Sequence, residues 1–167
     1  MPAPGASSLI DQVDPQDHAV GRVRRGEALQ VGANFRTVHV FVFHGQDLLL
    51  QQLGPSRARH PCRWGSSVAA YLFAGESYEQ AARRRLREEL GLEGDLTRLG
   101  KTRMDDERSL KFVELYALQD GPAEIREPDH IAALRYWTQD ELDAAVLSDA
   151  AIFTPTFVSL YRFYRHD

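Results

Sequence analysis

Cysteine is nearly absent from this 167-residue sequence: Cys62 stands alone, and the six histidines show no spacing typical of metal ligands. A disulfide within the chain is therefore excluded, and the composition suits a reducing compartment. Apolar runs fall well short of the ~20 residues that a membrane-spanning helix needs. Residues 1–8 lack the basic start and apolar centre of a signal peptide. We therefore expect a cytoplasmic protein with a flexible tail at residues 1–8.

An excess of positive charge is missing too. Lysine and arginine number 20 against 24 acidic residues, which gives a formal net charge of −4. This balance argues against a broad basic surface that grips a nucleic acid polymer. Arginines do cluster within residues 22–25, 57–63 and 83–85, so a small polyphosphate remains a suitable partner. With 43% hydrophobic and 26% charged residues, the chain is expected to fold as one domain over residues 1–167.

Hydrophobic patterning predicts strands and helices mixed along the chain. Residues 37–43 are β-branched or aromatic at both odd and even positions, as in a strand buried on both faces. Residues 44–47 form a turn that leads into a second strand. The best-marked helix begins after Ser77, which forms a capping box with Gln80, and ends at Gly91. Further strands are predicted at 95–103, 108–118 and 131–137, with an acidic turn at 104–107 and helices opening at Thr138 and Thr154. This order suggests an α/β fold in which helices pack on a mixed sheet.

Two carboxylates interrupt apolar rows, where a charge needs a partner. Glu89 falls in the apolar stripe of the best-marked helix, with Arg85 beside it and Glu88 at the edge of the stripe. In the predicted strand 108–118, Glu114 is the only charge in the row of side chains at Leu110, Phe112, Glu114, Tyr116 and Leu118. These carboxylates either form ion pairs, such as Arg85 with Glu89, or gather around a divalent cation, which hard oxygen ligands suit. Spacing alone does not decide between the two.

The run from Ala74 to Leu92 resembles the signature of the Nudix hydrolases. That signature places a glutamate, an Arg-Glu pair, two adjacent glutamates and a glycine at fixed offsets from an opening glycine. The resemblance implies an α/β/α sandwich with a mixed sheet, and metal-dependent cleavage of a diphosphate linked to another group. It also implies Mg²⁺ as the cofactor, with Mn²⁺ as the alternative. The matching positions are Glu76, Arg84, Leu86, Glu88, Glu89 and Gly91.

Two positions depart from this signature. Its opening glycine is replaced by Ala70, and we expect the methyl group to crowd a loop whose backbone approaches the metal or phosphate. The glutamate after Arg84 is replaced by Arg85, so one metal-binding carboxylate of the family is missing. Magnesium keeps several waters, so two carboxylates and the substrate phosphates can still hold it. Arg85 then either pairs with Glu89 or contacts a phosphate.

We therefore predict a Mg²⁺-dependent hydrolase that cleaves the phosphoanhydride bond of nucleoside di- or triphosphates. The partner is a small nucleoside polyphosphate, with neither a nucleic acid polymer nor a membrane involved. Base, sugar and oligomeric state stay open, and the arginines of residues 57–63 can equally form an ordinary solvated loop. The predicted catalytic residues are Glu89, Arg84 and, from strand parity, Glu114; the predicted metal ligands are Glu88, Glu89 and Glu76; the predicted substrate-binding residues are Arg85, Arg63 and Arg57.

Two other functions remain open. A nucleotide-binding module would have kept the fold and lost the chemistry through Arg85 and Ala70. An isomerase is the second, because most of the chain resembles the branch of the family related to isopentenyl-diphosphate isomerase. Ala69 and Tyr71 stand where the isomerase has its signature cysteine and a metal-binding histidine, which counts against this function.

Overall fold

The computed structural model describes residues 7–119 and 123–166. Strands and helices are mixed along this part of the chain, as the patterning predicts. Short 3-10 turns at Arg25–Glu27 and Ala150–Ile152 join some of the elements. The strands are β1 Leu9–Val13, β2 Ala19–Arg24, β3 Phe35–His44, β4 Asp47–Leu53, β5 Trp64–Gly65, β6 Val68–Tyr71, β7 Thr97–Asp106, β8 Ser109–Gln119 and β9 Ile131–Trp137. The α-helices are α1 Tyr78–Leu90, α2 Gln139–Ser148 and α3 Pro155–Arg165.

The strand predicted to be buried on both faces, β3, lies inside the main sheet. It pairs in parallel with β8 on one side, and antiparallel with β6 and the start of β4 on the other. β9 and β5 extend the sheet beyond β4, and β7 extends it beyond β8. Both parallel and antiparallel pairs are present, so the predicted mixed sheet is confirmed.

Side chains of β3 alternate between two cores. Val38, Val40 and Val42 point to a core shared with α1. Phe41 and Phe43 point to a second core shared with α2 and α3. The sheet thus lies between one helix and two, which confirms the predicted α/β/α sandwich. Among the described residues, none of the helices is long and apolar enough to span a membrane.

Helix α1 begins and ends as the sequence predicts. The Ser77 side chain accepts from the Gln80 backbone N–H, the Gln80 side chain accepts from the Ser77 N–H, and both bonds of the capping box form. Gly91 adopts φ 66°, a left-handed conformation that a glycine reaches without strain. The buried face of α1 includes Leu86, Glu89 and Leu90, so Glu89 does interrupt an apolar stripe.

The sequence did not predict the N-terminal hairpin formed by β1 and β2. Apolar and polar residues do not alternate regularly along either strand, and β2 is largely exposed, so the hairpin lacks the pattern that marks a strand. The turn between them carries Asp17, which receives hydrogen bonds from Arg36 Nε at 2.6 Å and Tyr78 Oη at 2.7 Å, and which also pairs with Lys101. This network fastens the hairpin to the start of α1. Of the predicted tail, residues 1–6 lie outside the described part of the chain, and the Ser8 carbonyl accepts from the Arg25 N–H.

Two local predictions were wrong. The strand predicted to end at residue 103 continues through Asp106, and the turn is made by Glu107 and Arg108, where Glu107 takes φ 56°. Hydrogen bonding to β8 keeps residues Met104 to Asp106 extended, although Asp105 and Asp106 are acidic. Ala70 was expected to crowd a loop, but it lies within β6, opposite Val38, and packs against the α1 core. An extended backbone accepts alanine without strain, so the methyl group contributes to packing.

Candidate functional site

Glu89 is a carboxylate enclosed by protein, with 2% of its surface exposed. Its Oε1 lies 3.3 Å from Arg85 Nε, and its Oε2 accepts a long hydrogen bond of 3.5 Å from Gln51 Nε2. Burial raises the pKa of Glu89 to about 7, against the lowering effect of the Arg85 charge. A buried carboxyl with a raised pKa beside a charged partner is a candidate for a functional site.

Gln51 fixes one side of this carboxylate. It lies on β4, is itself buried, and donates to the Ser67 carbonyl at 2.8 Å through the same amide nitrogen that faces Glu89. The sequence analysis missed Gln51, although it is a polar residue in the apolar strand β4. The parity argument that selected Glu114 applies to it equally.

Arg85 joins Glu89 to a residue that the sequence analysis missed, Glu127. The guanidinium reaches Glu127 through Nη2 to Oε1 at 2.8 Å and Nη1 to Oε2 at 3.2 Å, a two-point contact of the kind that arginine makes best. Its Nη1 also lies 3.5 Å from Glu88 Oε1. The predicted ion pair of Arg85 with Glu89 therefore forms, as one of three.

The loop that carries Glu127 is held by the end of α1. The last carbonyls of a helix have no partner within the helix and must find one elsewhere. Here the Glu89 carbonyl accepts from the Arg126 N–H at 2.9 Å, and the Leu90 carbonyl accepts from the Glu124 N–H at 3.3 Å. These two backbone hydrogen bonds place Glu127 beside Arg85 and Glu89 of α1.

Arg57 approaches the same group from the loop after β4. The Gly54 N–H donates to the His130 carbonyl at 2.8 Å, and a Cβ at Gly54 would lie 2.7 Å from the Asp129 carbonyl oxygen, so only glycine permits this approach. Burial lowers the pKa of Arg57, whereas the nearby charge of Glu89 raises it. Arg57 is therefore close enough to Glu89 for their charges to interact, and its substrate-binding role stays a prediction. Arg63 instead lies near His60, whose lowered pKa is due first to burial and then to Arg59 and Arg63.

Arg84 and Glu76 lock the loop before α1. Arg84 donates to both Glu76 oxygens, at 2.8 and 3.1 Å, and to Glu88 at 2.9 Å. Its guanidinium also lies 3.9 Å from the Phe73 ring centroid, and Glu76 Oε1 accepts from the Phe73 N–H. Both carboxylate oxygens of Glu76 are therefore occupied, and its metal-binding role stays a prediction.

An open depression of about 580 Å³ lies on the outer side of α1. It contains Glu76 and Arg84 but neither Glu88 nor Glu89, so it is separate from the buried carboxylate. Its lining consists of Phe73, Ala74, Gly75, Glu76, Gln80, Arg83, Arg84 and Arg87.

Glu114 lies apart from this group, near the start of α1. It accepts from Tyr116 Oη at 2.8 Å and from Arg98 Nε at 3.3 Å. Its charge also raises the pKa of Tyr78, after burial and the contact with Asp17. Neither end of the Arg85 network is among its contacts, and its predicted catalytic role stays a prediction.

The side chains suit a hard divalent cation in their chemistry, because carboxylate oxygens are its preferred ligands. Within residues 7–119 and 123–166, no group of three or more His, Cys, Asp or Glu side chains stands ready to hold a metal ion. The Arg85 guanidinium lies among Glu88, Glu89 and Glu127 instead. Glu127 Oε1 is buried and lacks a well-directed hydrogen bond, although Arg85 Nη2 is 2.8 Å away. A buried carboxylate oxygen without a directed hydrogen bond is suited to bind a cation.

A second group of buried polar residues lies on the α3 side of the sheet. His39 Nδ1 is 2.7 Å from Ser66 Oγ, and Lys111 Nζ donates to Thr156 at 2.8 Å and approaches Asp106 at 3.4 Å. Burial, with a smaller effect of the Lys111 charge, lowers the pKa of His39 to about 3. The histidine is therefore neutral at physiological pH.

The family can now be named from comparison with known proteins. A family model for the NUDIX domain matches residues 33–157. The chain belongs to the Nudix family. A Nudix hydrolase of Deinococcus radiodurans is 26% identical over 162 residues, which cover 95% of each protein. An isopentenyl-diphosphate Delta-isomerase of Nocardia farcinica is 31% identical over 156 residues, covering 87% of this chain and 88% of that enzyme.

Solved structures agree on the Nudix fold. A Deinococcus radiodurans protein superposes with a TM-score of 0.77 at 24% identity, covering 95% of this chain and 98% of that one. The NUDIX domain of Shewanella oneidensis NrtR, crystallised with ADP ribose, gives a TM-score of 0.60 at 18% identity and covers 92% of each chain. The predicted family and fold class are confirmed, and relatives named as Nudix hydrolases support the predicted hydrolase class.

Proposed function

We propose that this Nudix protein is a Mg²⁺-dependent hydrolase that cleaves the phosphoanhydride bond of a nucleoside di- or triphosphate. The observation that carries the proposal is the buried Glu89 carboxylate at the end of the Nudix helix, with Glu88 beside it and Arg57 within electrostatic reach. Carboxylates supply ligands for the cation, and a guanidinium attracts phosphate oxygens. A structural ion pair alone would not need Glu89, Glu88 and Arg57 together.

Glu88 and Glu89 are the residues that would hold the cation. A divalent cation bound there would offset phosphate charge and lower the pKa of a bound water. Arg84 positions Glu88 through a hydrogen bond of 2.9 Å, and Gln51 orients Glu89 from the sheet side. Burial shields the Glu89 contact from water, whereas Glu88, with 43% of its side chain exposed, is held by its bond to Arg84.

Arg57, and with it the predicted contribution of Arg63, would bind the phosphates. Arg57 is partly buried, and its side chain makes a long hydrogen bond of 3.5 Å to the His130 carbonyl. A guanidinium held this loosely keeps most of its donors for a ligand. A nucleotide substrate is supported by the NrtR domain, which was crystallised with ADP ribose. The cytoplasmic location and the preference for Mg²⁺ over Mn²⁺ stay predictions.

A substrate panel tests this function. Purified protein is incubated with nucleoside di- and triphosphates, ADP-ribose and isopentenyl diphosphate, each with Mg²⁺, with Mn²⁺ and with a chelator. We expect release of phosphate, pyrophosphate or monophosphate from at least one nucleotide, and only in the presence of a divalent cation. Absence of turnover with every nucleotide under all three conditions would contradict the proposal.

An isomerase is the second candidate, because relatives named isopentenyl-diphosphate Delta-isomerase match at 29% and 31% identity over most of their length. The single cysteine of this chain, Cys62, is exposed and lies in a loop away from β6, where the isomerase signature cysteine aligns. In the panel, conversion of isopentenyl diphosphate to its allylic isomer without phosphate release would favour this function. Nucleotide binding without turnover would favour a binding module.

A further inference from the structure

Arg85 occupies the middle of three carboxylates. Its guanidinium nitrogens lie 3.5 Å from Glu88, 3.3 Å from Glu89 and 2.8 Å from Glu127. Only 19% of the Arg85 side chain is exposed; its contact with Glu89 is shielded from solvent, whereas Glu127 and Glu88 are 29% and 43% exposed. One positive charge thus faces up to three negative ones, in the position along the helix where the Nudix signature has a glutamate.

A divalent cation and this guanidinium cannot share the same oxygens. Magnesium binds oxygen ligands at about 2.0–2.1 Å and demands near-octahedral geometry. The Arg85 nitrogens contact Glu88 Oε1, Glu89 Oε1 and both oxygens of Glu127, and their positive charge repels a cation that approaches the same carboxylates. A cation can therefore join this set only when the guanidinium leaves it.

Glu127 supplies what position 85 lacks. The loop hydrogen-bonded to the end of α1 carries this carboxylate to Arg85, next to Glu89. Its Oε1 is buried without a well-directed hydrogen bond. This oxygen is held by an ion pair with Arg85 rather than by a directed hydrogen bond, and 29% of the Glu127 side chain is exposed, so a cation from solvent can compete for it.

We propose that Arg85 and a divalent cation occupy the set Glu88, Glu89 and Glu127 in turn, with Glu127 replacing the carboxylate that the helix has lost at position 85. This proposal rests on the proposed function for the identity of the cation site. When the cation enters, the released guanidinium contacts a phosphate oxygen of the substrate, a partner that suits its planar donors. Substrate and cation then favour each other's binding, and this coupling is reciprocal.

Binding of Mn²⁺ alone tests the exchange without any turnover. The full chain is titrated with Mn²⁺, and free Mn²⁺ is measured by electron paramagnetic resonance for the parent, Arg85→Gln, Arg87→Gln and Glu127→Gln. Arg87 is the matched control, because it lies on the same helix, is exposed and pairs with Glu93. Arg85→Gln is expected to bind Mn²⁺ at least ~10-fold more tightly than the parent, since a competing charge pair is removed. Glu127→Gln is expected to bind ~10-fold more weakly, and Arg87→Gln within ~2-fold of the parent.

The coupling gives a second measurement. An α,β-methylene nucleoside diphosphate should tighten Mn²⁺ binding more in the parent than in Arg85→Gln, because only the parent has a guanidinium to satisfy. If Arg85→Gln folds poorly, Arg85→Lys serves instead. Lysine keeps the positive charge but lacks the planar set of donors of a guanidinium, so this variant should bind Mn²⁺ with intermediate affinity. Equal Mn²⁺ affinities for the parent, Arg85→Gln and Glu127→Gln would overturn the exchange, while metal-dependent hydrolysis in the substrate panel would leave the proposed function standing. No Mn²⁺ binding by any variant would overturn both.

Discussion

The backbone N–H of Arg126 donates a hydrogen bond of 2.9 Å to the carbonyl of Glu89. The residue whose side chain is the buried carboxylate therefore also anchors, through its backbone, the loop that brings Glu127 to the site. The geometry of the site thus depends on how α1 ends, as well as on which side chains the helix presents.

Replacing the glycine that ends α1 tests this dependence. In Gly91→Ala the alanine would have to keep φ 66°, and its Cβ would lie 2.7 Å from Arg126 Cζ, so the helix end is strained and the Arg126 side chain on the anchored loop must move. We expect a loss of about 1–2 kcal/mol in the free energy of unfolding, measured with urea, together with reduced turnover. Gly45→Ala is the control, because Gly45 has φ 62° with no atom within 4 Å of the added Cβ. It should lose similar stability with normal turnover; equal turnover in both variants would remove the link between helix end and site.

Buried His39 predicts how stability depends on pH. Its folded-state pKa of about 3 lies below the ordinary value of 6.5, so the unfolded chain takes up the proton first as pH falls. The stabilisation from the neutral ring is complete above pH 6.5 and is lost progressively toward pH 3. Each pH unit in this window should cost about 1.4 kcal/mol for this one group.

The variant His39→Gln removes this titration while leaving a polar group near Ser66. Its free energy of unfolding, measured by urea between pH 7 and pH 4.5, should fall less steeply than that of the parent. His44→Gln, at an exposed position, should keep the parent's slope. A slope in His39→Gln as steep as the parent's would mean that His39 is not the group that titrates.

Glu114 separates a structural role from a catalytic one. Its contacts are with Tyr116 and Arg98, so Glu114→Gln should alter stability by less than ~1 kcal/mol, as expected for a largely local ion pair. Turnover should stay within about twofold of the parent, because no contact connects Glu114 with the Arg85 network. Thermal melting and steady-state kinetics on the same preparation distinguish the outcomes. A large fall in turnover with an unchanged melting temperature would instead confirm the predicted catalytic role of Glu114.

Much of the fold could be predicted because local signals and tertiary structure agree. The Ser77 capping box, the left-handed Gly91 and the apolar strand β3 each carry a pattern that packing reinforces. The hairpin of β1 and β2 escaped prediction because its strands lack a regular alternation and are held by the Asp17 network, which joins residues distant in sequence.

The site was predictable only in part. Glu88 and Glu89 stand at fixed offsets on one helix, whereas Glu127 is one charge among several in a loop with no periodicity. Its position depends on backbone hydrogen bonds to the end of α1, which no local pattern encodes. Arg85 was the available signal, because a cation where the family has a glutamate requires a carboxylate partner from elsewhere.

Turnover of Glu89→Gln tests the central claim most directly. The amide is nearly isosteric with the carboxylate but is a poor ligand for a hard cation. With the best nucleotide of the panel and saturating Mg²⁺, we expect a loss of at least ~10²-fold in kcat, with the fold intact by circular dichroism. Glu93→Gln is the matched control, since Glu93 is exposed just beyond the helix, and it should keep the parent's kcat. A well-folded Glu89→Gln variant with the parent's kcat would contradict a hydrolase that works through this buried carboxylate.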